Sequence, residues 1–281
     1  NISDPTTGTS QALDSITVFP KPSLLLGRQK ISEILKISLP LLLAWFVQKS
    51  EGLNSKRDWA FILLLFLFPL IIVLRQPDLG TAILLFISGM ILLFFAGFPT
   101  RIILIGLALF VVFLLTLFIF GDKFCAENVA WPGLREHQKL RICTLLDPMR
   151  DPLGAGFHTL QSITAVGSGG IFGKGWLQGT QTQLAFIPER STDFVFSGYA
   201  EEFGFFGSLL LILLYAGITL RGLWISIGAP TDFARLLGGT LSMMTFTYAC
   251  VNIGMVTGVL PVVGVPLPWM SYGGTALITQ A

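Results

Sequence analysis

Apolar residues fall along this chain in long runs rather than in the short periodic stripes of a water-soluble helix. The runs cover about Ile31 to Val47, Trp59 to Leu74, Gly80 to Gly97, Ile102 to Phe120, Phe194 to Leu220 and Ala234 to Val256, and another begins near Trp269. A helix that crosses a bilayer needs roughly 20 predominantly apolar residues. Lipid offers no partners for bare backbone groups, so such runs are expected to be helices. The pattern predicts an all-α polytopic membrane protein with seven spans, the seventh truncated. It divides the chain into an extracytoplasmic loop over 1–30, four spans within 31–120, a large extracytoplasmic loop over 121–192 and three spans within 193–281, all in a single membrane domain. There is no internal repeat.

Polar positions between the runs orient the chain. Lys49, Lys56 and Arg57 lie between the first two runs, Arg101 between the third and fourth, and Arg221 and Arg235 around the connection between the fifth and sixth. These short connections share one side if the spans alternate, and an excess of Lys and Arg marks the cytoplasmic side. Residues 121–192 then lie outside. That stretch is rich in Gly, Pro and charged residues, and a connection of this length is usually functional or disordered. Its organised sequence favours function.

Composition agrees. Only 12% of the 281 residues are charged and 53% are hydrophobic, whereas soluble domains carry about 25% charged residues. A net charge of +2 with no dense basic face excludes nucleic-acid binding. Cys125, Cys143 and Cys250 have no metal-ligand spacing. Cys250 reads as a packed small hydrophobe. A disulfide between Cys125 and Cys143 is possible, but nothing in the spacing demands one. The chain does not start with Met and stops at Ala281 inside an apolar segment, which reads as a piece of a longer protein.

Four polar groups stand out, because an ionisable side chain at membrane depth is costly and marks function by default. Glu33 and Lys36 share a helical face, and spacing alone favours an ion pair at the helix end. Gln76-Pro-Asp-Leu-Gly80 reads as a tight outer turn. The run from Gln161 and Ser162 through Gly167-Ser-Gly-Gly170, Gly173-Lys-Gly175 and Gly179-Thr-Gln181 could bring backbone amides and Lys174 to an anion, though without P-loop spacing. Pro188-Glu-Arg-Ser-Thr-Asp-Phe194 precedes Glu201 and Glu202. Thr192 or Asp193 is placed to cap the fifth helix, and Glu201, two turns on, lies roughly 12 Å deeper on much the same face. The pair suggests a hydrophilic cleft opening outward. Finally, Pro261-Val-Val-Gly-Val-Pro-Leu-Pro268 and Ser271-Tyr-Gly-Gly274 cannot form a regular helix and read as a broken segment buried against protein.

These motifs, together with Leu146-Asp-Pro148, Asp151-Pro-Leu-Gly-Ala-Gly156 and Asn252-Ile-Gly254, resemble the SEDS (shape, elongation, division and sporulation) family, nearest its cell-elongation branch, from residue 31 onward. The resemblance implies the SEDS fold of ten helices, of which the seven spans here are the fourth to tenth. It implies a peptidoglycan glycosyltransferase that polymerises lipid II, works with a class B penicillin-binding protein and the elongation machinery, and faces outward from the bacterial inner membrane. The family's essential aspartate falls on Asp193, and its glutamate and lysine on Glu33 and Lys36. The reaction releases undecaprenyl diphosphate. Asp193 suits the general base, and Lys174, Arg190 and Lys36 are the candidates to stabilise the departing charge. Gln161, Ser162 and Glu201 are further candidates for substrate binding. A divalent cation (Mg or Mn) could bridge the diphosphate. A lipid II flippase or a non-catalytic scaffold for the penicillin-binding protein are the alternative readings.

Overall fold

The computed structural model describes residues 22–50, 53, 55–75, 79–119, 125, 136–147, 149, 155–183 and 192–272. Six of the seven apolar runs are helices within that range: α1 Pro22–Lys49, α2 Lys56–Leu74, α3 Leu79–Phe95, α4 Thr100–Ile119, α8 Val195–Ile227 and α9 Asp232–Val256. The seventh run lies for the most part outside the described residues. Helix α1 starts nine residues before the expected Ile31, so Lys36 sits near its middle rather than at its end.

Local chemistry sets the helix starts. Ser55 and Asp58 form a reciprocal capping box at the head of α2, satisfying two amides that the helix cannot. Thr231 caps α9 by accepting from the Ala234 amide at 3.2 Å. Helix α2 then buries one stripe, Ile62, Phe66, Leu70 and Val73, and leaves Phe61, Leu64, Phe68 and Ile71 exposed. A helix that is apolar all round belongs in a core or in lipid. Helix α8 likewise exposes Leu210, Leu213, Leu214 and Leu220. Among the described residues α2, α8 and α9 are long and apolar enough to cross a membrane. Among the phenylalanines of α2 and α3, Phe66 is buried and Phe61, Phe68 and Phe86 are exposed. Cys250 corrects its expectation: it is exposed on α9 rather than packed, because it points away from the face that carries Val251, Asn252 and Met255.

Two apolar clusters share the interior. One joins α1, α2 and α3 through Leu43, Phe66 and Leu85. The other joins α8 and α9 to residues 263–267 through Tyr215, Met255 and Val265. The connections α1–α2, α3–α4 and α8–α9 meet at one end. Trp59 packs edge-on against Phe98 with ring centroids 5.1 Å apart, and Phe95 lies against Gly239 near the start of α9.

The described parts of the long connection are folded. They contain α5 Glu136–Leu146, α6 Ala155–Ser168 and the single turn α7 Thr180–Gln183. A disulfide ties Cys125 to Cys143 on α5, resolving what the spacing left open. Helix α6 packs on α8 and α9, and the fully buried Ser162 hydroxyl donates to the Val256 carbonyl at 2.8 Å.

Candidate functional site

Helix α8 is broken in the middle of its apolar run. Gly204 has φ +65°, a conformation that L side chains rarely adopt. A break of this kind strands backbone groups, and inside a membrane protein they need partners. The glycine-rich segment after α6 supplies them. The amides of Lys174 and Gly175 donate to the carbonyls of Glu201 and Glu202, each at 3.0 Å, and the amides of Phe205 and Phe206 donate to the carbonyls of Gly170 and Ile171. The approach is so close that a Cβ on Gly173 would stand 2.1 Å from the Glu202 oxygen.

This corrects the anion-cradle reading of that segment. The amides of Lys174 and Gly175 point at carbonyls of the kinked helix and that of Gly173 at the Gly169 carbonyl of its own segment, so the first two splice the kink and none of the three is presented to a ligand. Lys174 is likewise engaged. Its ammonium is 2.7 Å from Glu201 Oε1 and 2.8 Å from the Thr180 hydroxyl. Glu201 is fully buried, and the same oxygen accepts from the Thr180 hydroxyl at 3.1 Å and the Gln181 amide at 3.0 Å. A carboxylate at this depth faces polar groups rather than lipid, as expected, but those groups are packed side chains and backbone instead of an open cleft.

Asp193 lies at the opposite end of the bundle from the basic connections, in the turn that leads into α8. It is not the helix cap. That position is Phe194, which makes no side-chain capping bond. The Asp193 carboxylate instead faces the broken segment, where a Cβ on Gly264 would stand 3.3 Å from Asp193 Oδ2. Gly264 has φ +70°, so both space and backbone conformation call for glycine there.

Residues 257–272 are irregular and include the expected broken stretch Pro261–Pro268, with Val263, Val265 and Leu267 buried; Gly273 and Gly274 of its expected continuation lie outside the described residues. It is pinned on several sides. The Tyr215 hydroxyl of α8 donates to the Pro268 carbonyl, Gly80 at the head of α3 packs against the Val263 carbonyl, and the Asn252 amide of α9 donates to the Val265 carbonyl at 2.6 Å. His158 of α6 stacks on Phe194 with centroids 6.0 Å apart, bringing α6 to the same turn.

Lys36 is buried, and its ammonium lies 5.9 Å from the centre of the Tyr248 ring. Tyr248 is one turn before Asn252 on the same face of α9, which puts Lys36 in the helix interface beneath Asp193. Burial replaces the expected helix-end position because α1 extends far upstream of Lys36. Gln161 is half-buried on α6 beside Ser162. Arg190, Gln76, Asp78 and the Glu33 side chain lie outside the described residues. Asn252, Ser271 and Tyr215 were assigned no role from sequence. A lone asparagine inside an apolar run was the available signal for Asn252.

An α-helical bundle with a broken, buried segment beside an acidic turn defines a class of multi-pass membrane protein, and sequence comparison gives its family. The chain belongs to the FtsW/RodA/SpoVE family, described as "Cell cycle protein", whose sequence model matches residues 27–281. It is 47% identical over 247 residues to peptidoglycan glycosyltransferase MrdB of Escherichia coli K12, covering 88% of this chain and 64% of that protein. It is 31% identical over 310 residues to peptidoglycan glycosyltransferase RodA of Treponema pallidum, covering 89% and 71% respectively. The chain thus spans less than two thirds of the MrdB sequence. Among solved structures it is similar to a chain from "Structural coordination of polymerization and crosslinking by a peptidoglycan synthase complex", at 32% identity and TM-score 0.67 over 89% of this chain and 66% of that one. It is also similar to the rod shape determining protein RodA of Thermus thermophilus, at 27% identity and TM-score 0.57, covering 89% and 60%.

Proposed function

We propose that this chain is the larger part of a peptidoglycan glycosyltransferase that polymerises lipid II during cell elongation. The observation that carries the reading is the position of Asp193: a carboxylate in the turn that leads into α8, facing the glycine of a broken segment, at the end opposite the basic connections. In a bacterial inner membrane the basic end faces the cytoplasm, so Asp193 faces outward, where lipid-linked precursor is consumed.

The chemistry asks two things of the protein. The acceptor hydroxyl of one lipid II attacks the sugar carbon bonded to the diphosphate of another, and its proton passes to a base. A carboxylate in reach serves as that base. The bond to the diphosphate breaks, and undecaprenyl diphosphate leaves with negative charge that needs a cation. Lys36, buried beneath the Asp193 turn, and Arg190, close upstream in sequence, are assigned that role. Lys174, held by Glu201 at 2.7 Å, is the third candidate. A divalent cation bridging the diphosphate would rest mainly on substrate oxygens, since among the described residues no three His, Cys, Asp or Glu side chains gather to hold one. The partner is a class B penicillin-binding protein that crosslinks the strand. The solved relative from a peptidoglycan synthase complex supports this.

The test uses the full-length protein with its partner in liposomes supplied externally with lipid II. Glycan strands on a gel support the reading. Translocation of lipid II without polymer would replace it with a flippase, and neither activity in an intact complex would leave a scaffold.

A further inference from the structure

The turn that carries Asp193 is held by its backbone, and the two side chains that hold it come from distant parts of the chain. Asn252, fully buried on α9, donates its amide to the carbonyl of Asp193 itself at 2.8 Å and to the carbonyl of Val265 at 2.6 Å. One side chain therefore bridges the acidic turn to the residue after Gly264, whose Cα faces the Asp193 carboxylate. Ser271 makes the second bridge. Its hydroxyl donates to the Thr192 carbonyl at 2.6 Å and accepts from the Leu267 amide at 2.7 Å. Consecutive carbonyls, those of Thr192 and Asp193, are thus gripped by a serine from the broken segment and an asparagine from α9. Neither position requires a polar residue for packing alone, since their neighbours Val251, Met255, Val265 and Leu267 are buried apolar side chains.

A base loses its advantage when it is misplaced. An error of about 1 Å can cost roughly a hundredfold in rate. The bonds from Asn252 and Ser271 tie two consecutive carbonyls of the Asp193 turn to α9 and to the broken segment, so they constrain where the turn sits. We infer that Asn252 and Ser271 are positioning residues: they fix the Asp193 turn against the broken segment and set the direction of its carboxylate without touching substrate. The inference rests on the assignment of Asp193 as the base.

The chemistry of the two side chains makes the inference testable. Asn252→Ala removes both donated bonds, and Ser271→Ala removes the grip on Thr192. Steady-state polymerisation of lipid II by the full-length protein with its partner separates turnover from binding. Both variants should lose roughly ten- to a hundredfold in kcat, with KM changed by less than about threefold, while thermal midpoint in detergent and partner co-purification stay close to the parent. Ser271→Thr keeps the hydroxyl and should recover most of the kcat that Ser271→Ala loses. If Asn252→Ala fails to fold, the Ser271 pair alone decides. Parental kcat in folded Ser271→Ala, or a loss confined to KM, overturns the inference, as does a folded Ser271→Thr no better than Ser271→Ala. Failure of the parent reading looks different: Asp193→Asn would then polymerise at the parental rate, whatever Asn252 and Ser271 do.

Discussion

Replacing Lys174 by Met and Glu201 by Leu, singly and together, tests whether this pair is a structural latch or part of the substrate site. Lys174→Met leaves the Glu201 carboxylate fully buried, with the Thr180 hydroxyl, the Gln181 amide and, at 3.5 Å, the Ser168 hydroxyl still among its donors. Removing one partner of a buried ion pair typically costs about 3–5 kcal/mol. The lower end applies, because those donors remain and because the Lys174 side chain is 27% exposed. At about 2–4 °C per kcal/mol for a chain of this size, a loss of about 3 kcal/mol lowers the thermal midpoint by about 6–12 °C. Glu201→Leu leaves the ammonium on Thr180 and within reach of water, so it costs less. The double variant removes both charges, and replacing a buried pair by apolar groups is often close to neutral. It should recover most of the midpoint lost by Lys174→Met. Thermal unfolding of the purified full-length protein in detergent gives the cycle, and lipid II polymerisation on the same samples gives function. The latch predicts a stable double variant that still makes strands. A double variant no more stable than Lys174→Met refutes the coupling, and a stable but inactive one returns Lys174 to the substrate site.

Asp193→Asn should leave insertion, folding and partner binding intact but lower polymerisation by a factor of about 10²–10⁴, the usual cost of losing a general base; Asp193→Glu should restore little of it. Polymer at the parental rate from Asp193→Asn would remove the catalytic assignment. Reduction of the Cys125–Cys143 bridge, or Ser at both positions, releases a loop closed over 18 residues of sequence separation and should cost about 3 kcal/mol of stability, read as a lower midpoint in reducing buffer that the double-Ser variant no longer shows. Single cysteines introduced near Ser168 should be labelled by a membrane-impermeant reagent from outside, and those near Ala229 only from inside; labelling of both from the same side would overturn the outward-facing site.

Much of this molecule is written in one dimension. A span of apolar residues must be helical in lipid wherever it occurs, so six helices are legible without any tertiary information, and the basic connections order their ends. The broken segment is equally legible, because Pro261, Pro266, Pro268 and Gly264 forbid a regular helix whatever surrounds them. Asp193 is conspicuous as a carboxylate at the mouth of an apolar run. What could not be read was which polar groups face one another. The glycines from Gly169 to Gly175 looked like open backbone offered to an anion, yet they mate with the kink at Gly204 in α8, and a kink produced by a neighbouring segment leaves no local periodicity. Lys174 and Glu201 lie 27 positions apart, and only packing of the folded connection onto α8 makes them a pair. Capping signals at Thr192 and Asp193 were overridden because Asn252 and Ser271 bond the two carbonyls there, and α8 begins beyond them at Val195. Short-range bonding and solvation act on neighbours in sequence and can be read from it; the meeting of residues 79 apart, Thr192 and Ser271, is decided by how the helices stack.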